Sequence, residues 1–139
     1  MNILQANVEF SRVERADSIL KLSTKSAKEY GIITEVDNLN HASHLYETAG
    51  RLDKAIGVWV MVRDESFRDG MLFFEPTAKR VEKVRKGEDL DQRLSSDLDI
   101  ALNNFKNYDK AVEEIKRIEK LQKDRVSNLQ RVDPSPTKD

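Results

Sequence analysis

The chain reads as an all-α protein of stacked antiparallel helical hairpins, and three observations predict this. Across 139 residues there are only five Gly and three Pro, too few for the many tight turns of a sandwich or barrel. Charged residues make up 35% and aromatics 6%, a balance that suits helices with one solvated face. Apolar residues recur every three or four positions through most of the sequence, the spacing of a helix stripe.

Val13, Ala16, Leu20, Ala27 and Tyr30 place a first helix at about 9–30, with charges on its other face and Gly31 as its stop. After "GIITEVDN", Leu39, Ala42, Leu45, Tyr46 and Ala49 mark a second helix, ended by Gly50. "LDKAIGVWVMVRDESF" then starts as a helix. Its "VWVMV" and the later "MLFFE" are also strand-like, so a small β-hairpin of 58–62 with 71–74 stands as the alternative. Pro76 permits a new helix, "TAKRVEKVRKG", closed by Gly87. Leu90, Leu94, Leu98, Leu102 and Phe105 carry the next, and Tyr108, Val112, Ile115, Ile118 and Leu121 the last. The expectation is six or so helices in one domain, residues 1–130, followed by a disordered tail, 131–139, with two prolines.

Two stretches echo one another: "YETAGRLDKAIGVW" (46–59) and "LNNFKNYDKAVEEI" (102–115). In the first, Ser43 is small where a neighbouring helix must come close, and Tyr46 is large one turn on. Gly50 makes the turn, Ala55 is the tight contact of the second helix, and Trp59 is its large residue. This pattern resembles the tetratricopeptide repeats, 34-residue helix–turn–helix units. Leu98, Leu102, Tyr108, Ala111 and Ile115 fill comparable roles in the second copy. There Asp99 replaces a small residue, Ser95 a large one and Lys106 the turn Gly, and the copies start 56 residues apart. The resemblance covers about 39–62 and 95–118. It implies a scaffold or adaptor without chemistry of its own, whose hairpins form a groove for a partner helix or peptide.

Composition excludes several classes. With no Cys there are no disulfides, no thiol nucleophile and no zinc–cysteine site, and a reducing compartment is compatible. A formal charge of −1 gives no global field toward nucleic acid or membrane. No apolar run reaches the 18 or so residues of a span, and the start lacks the basic and apolar regions of a signal peptide, so a soluble cytoplasmic protein is expected.

Candidate chemistry is sparse. His41, His44 and Glu47 follow one another at three-residue steps, but they drift around the helix and lack zinc-protease spacing, so they read as polar surface. Glu88, Asp89 and Asp91 form an acidic first turn rather than a calcium loop. No metal, cofactor or catalytic residue is expected. The strongest charge feature is a swing from net +4 over 77–86 (Lys79, Arg80, Lys83, Arg85 and Lys86 against Glu82) to net −4 over 88–99. The basic helix 77–86 supports an alternative function, a small nucleic-acid-associated regulatory protein, although interleaved aromatics are absent from it. The most apolar region runs from Val58 to Phe74. Trp59, Phe73, Phe74 and Leu45 are the expected contacts to a protein partner, with self-association another use of that surface. The sequence therefore predicts a non-catalytic interaction scaffold or adaptor.

Overall fold

The computed structural model describes residues 3–86 and 94–132 and is helical almost throughout. Four α-helices follow in order: α1 (Ile3–Tyr30), α2 (Val36–Thr48), α3 (Leu52–Arg85) and α4 (Leu94–Val132). A single 3₁₀ turn, Ile32–Thr34, joins the first two. Each helix runs back along its predecessor, as short links require.

The first two corners show why the chain turns where it does. Gly31 has φ +99° and Gly50 φ +80°, the left-handed region that a side chain resists. At Gly50 the closure is a Schellman motif: the Arg51 amide donates to the Tyr46 carbonyl (2.8 Å) and the Gly50 amide to that of Glu47 (3.0 Å). At the other corner the Ile32 amide donates to the Asp69 carboxylate at 2.9 Å, tying the α1–α2 elbow to the middle of α3.

The core lies in the three successive interfaces α1–α2, α2–α3 and α3–α4. Leu39, Ala42, Tyr46, Ala55, Trp59, Val62, Ala111, Ile115 and Ile118 are buried there. Small residues set the closest approaches. Ser43 and Ala55 are both fully buried, and the Ser43 hydroxyl donates to the Ala55 carbonyl at 3.4 Å. The first of the two echoing stretches is thus a helical hairpin. The second lies wholly inside α4, so its polar "KN" break is an ordinary helical turn.

The structure keeps the helical reading of 58–74 over its alternative and corrects several expected helix bounds. The β-hairpin of 58–62 with 71–74 does not form, since α3 is helical through both runs. Val58, Trp59 and Val62 fall on one buried helical face, and that burial outweighs the roughly 1 kcal/mol cost of Gly57. Pro76 does not begin a helix but sits inside α3, where its fixed φ is already helical, at the cost of the bond to the Leu72 carbonyl and of ring crowding against it. The segments carrying Leu98 and Tyr108 are one helix, α4, rather than two. The first helix also starts earlier than residue 9, at Ile3, with Ile3, Leu4 and Phe10 exposed beyond the reach of α2. The expected stop at Gly87 and residues 133–139 of the expected tail lie outside the described residues, while Arg131 and Val132 belong to α4.

Candidate interaction surface

α3 and α4 make the longest pairing in the molecule. Past the point where α1 ends, about 73–85 and 94–104 continue as a two-helix tip roughly 20 Å long. Along this hairpin α3 carries Phe67, Phe74 and Val81, seven residues apart and so within an arc of about 40°. Lys54, Met61 and Asp69, which touch α1 or its elbow, lie roughly 140–160° away on the same helix. The stripe therefore faces away from α1, on the open side of the hairpin.

α4 completes this face. The Phe67 and Tyr108 rings lie 5.8 Å apart, tilted by 51°, and those of Phe74 and Phe105 lie 6.0 Å apart, edge to face at 67°. Gly70 makes room beneath them: a Cβ there would come within 2.6 Å of the Phe105 ring. Although packed in pairs, these side chains remain open to water. Phe67 is 52% exposed, Phe74 41%, Val81 38% and Leu102 53%. Ring pairs seal the two helices to each other and still leave their outer edges bare.

The opposite side of the hairpin holds a cleft of about 470 Å³ between the α1–α2 elbow and the two long helices. Ala27, Tyr30, Ile33, Leu72, Phe73 and Ile100 line it. Phe73 and Phe74, adjacent in sequence, thus serve different surfaces. At the cleft wall Asn104 is buried, and its amide donates to the Ile100 carbonyl at 3.0 Å.

The remaining expected site residues fall as follows. Trp59 (1% exposed) and Leu45 (9%) are core residues, as is Tyr46, so the folded chain does not offer them to a partner. Phe67, Val81 and Leu102 are exposed instead. The five basic residues do not form one patch. Arg80 pairs across the tip with Asp97, and Arg85 lies toward the open apolar face, one turn beyond Val81. Lys79, Lys83 and Lys86 remain together, exposed within about 60° of arc on the far side of α3.

Among the described residues no three His, Asp or Glu side chains converge to hold a metal ion. His41 and His44 are exposed on α2, while Glu47, the third member of their series, is gripped by Arg117 at 2.7 and 2.8 Å. Hydrogen bonding from that guanidinium holds the Glu47 carboxyl below the usual carboxylate range. Glu88, Asp89 and Asp91 lie outside the described residues. No described helix is long and apolar enough to cross a membrane. Compared with known proteins, the chain matches no family model, no curated protein and no solved structure.

Proposed function

We propose that this chain is a non-catalytic protein–protein interaction module, an adaptor or scaffold that works through the open face of the α3–α4 hairpin. One observation carries the reading: Phe67, Phe74, Val81 and Leu102 form a continuous apolar face that stays substantially exposed. Patches of this kind are seldom left in water without a use. The likeness of residues 39–62 to a tetratricopeptide hairpin supports the same role, since such hairpins serve as scaffolds. A cytoplasmic setting belongs to this reading and suits a chain without cysteine.

The test is capture from native lysate by the tagged chain, with a Phe74→Glu variant in parallel and nuclease in half the samples. Partners that resist nuclease and disappear with Phe74→Glu are expected. Retention of the same partners by the variant would refute this use of the face.

A second reading rests on Lys79, Lys83 and Lys86, aligned on the far side of α3. They suit phosphates of a nucleic acid, sensed as charge and without base contacts. Binding of a labelled random oligonucleotide would then weaken steeply from 50 to 200 mM salt, and neutralising the three lysines would flatten that dependence.

A further inference from the structure

We infer that the partner for the open face is a second copy of this chain, and that two α3–α4 tips close into an antiparallel four-helix bundle. The inference rests on the interaction-module reading above and names its first partner.

The geometry points to a helix as the covering element. Phe67, Phe74 and Val81 recur at seven residues, and Leu98 with Phe105 repeats that interval on α4. A seven-residue stripe is the seam of helices packed nearly parallel or antiparallel to one another. The tip is already half of such a bundle, two antiparallel helices packed on each other with an apolar side left bare. A second tip, brought on by a two-fold axis perpendicular to the helices, sets α3 against α3 and α4 against α4, every neighbouring pair antiparallel. The bodies then point in opposite directions and do not collide.

The charges on the outer rim fix the register. Centre the axis at Phe74, and Phe74 faces its own counterpart while Phe67 faces Val81 of the second copy. In that register Asp64 comes beside Arg85, which lies toward the same open face, and the pair occurs twice by symmetry. In the single chain Asp64 pairs with its neighbour Arg63. That is an exposed pair of small value, so exchanging partners costs little. Complementary rims set the register of an interface more than its strength.

Area sets the strength. The four exposed side chains alone leave on the order of 350 Å² open per chain, counting a fully exposed Phe at about 200 Å². With Met71, Ala78, Leu98 and Phe105 included, two copies bury about 1,000 Å² together, at the threshold for a specific interface. A weak dimer, with a dissociation constant of roughly 10–100 μM, is the expectation.

Sedimentation equilibrium of the purified full chain from about 5 to 500 μM tests this. The mass is expected to climb from the 16.0 kDa of one chain toward twice that value. Phe74→Glu is expected to weaken the dimer at least tenfold, with circular dichroism reporting whether it remains folded. The charge pair decides independently of that variant: Asp64→Arg and Arg85→Asp each weaken association severalfold, and the double exchange restores it. A monomer at every concentration overturns the inference. So does a dimer indifferent to the single charge changes. A monomer that nevertheless captures a foreign protein through Phe74 also overturns it, while leaving the adaptor reading standing.

Discussion

The guanidinium of Arg117 donates to both carboxylate oxygens of Glu47, at 2.7 and 2.8 Å, and so ties the end of α2 to the middle of α4 across 70 residues of chain. The same guanidinium holds Glu114 one turn away. Bidentate geometry makes this pair more than an incidental surface contact, and it fixes the short α2 against the long hairpin.

Arg117→Ala should therefore lower stability at pH 7 by about 1 kcal/mol, a fall of roughly 3–5 °C in Tm. The folded pKa of Glu47 lies below its unfolded value, so this contribution is complete above about pH 4.3 and is lost as pH falls through the folded pKa. Thermal melts of both proteins should converge in strong acid. A gap that persists there would show that Arg117 acts through packing alone.

Ala55→Leu should overpack the α2–α3 hairpin, because Ala55 is fully buried and its carbonyl meets Ser43. The expected cost is about 1–3 kcal/mol, read by urea titration of the fluorescence of Trp59, the single tryptophan. A mutant that melts like its parent would place slack at this contact.

Gly57 and Gly70 both lie inside α3 and should respond with opposite signs. A Cβ at Gly57 meets nothing within 4 Å, so Gly57→Ala should stabilise by about 0.5–1 kcal/mol through helix propensity. At Gly70 the new carbon would press on the Phe105 ring and push it from Phe74. Gly70→Ala should lose more in that aromatic packing than it gains, and its Tm should fall.

Tyr46 is buried and its phenol donates to the Asp17 carboxylate. Burial first, and then that hydrogen bond, raises its pKa well above the ordinary value of about 10. A raised folded pKa gives stability that is complete below the unfolded pKa and lost as pH rises past it. Tyr46→Phe should cost about 1 kcal/mol at pH 7, with the gap narrowing above pH 10. An unchanged gap in alkali would argue against a protonated Tyr46.

Much of this architecture can be read from residue spacing. Val13, Ala16, Leu20 and Ala27 announce α1, and Gly50 announces its corner, because in each the local signal and the tertiary contacts agree. Where they diverge, the sequence leaves alternatives open or misleads. "VWVMV" looks like a strand because β-branched residues prefer one, yet Val58, Trp59 and Val62 find a buried helical face only three-dimensional packing supplies. Trp59 draws attention as a contact residue for the apolarity that makes it core. Phe74, named as a contact to a partner, is exposed, but its stripe with Phe67 and Val81 emerges only once α3 is known to run unbroken through Pro76. The pairing of Arg80 with Asp97 is likewise invisible until the hairpin register brings residues seventeen apart together.

Pro76 has a further consequence, in the rate at which amide protons exchange with solvent. It withholds one helical hydrogen bond from the Leu72 carbonyl, close to where support from α1 ends. The tip beyond it can open without disturbing the core. Amides of α3 after Thr77 and of α4 before Asn104 should exchange through that local opening, on a faster tier than those near Trp59, Ala111 and Ile115. The core tier should be indifferent to protein concentration, whereas the tip's should slow as concentration rises and a second copy closes over it.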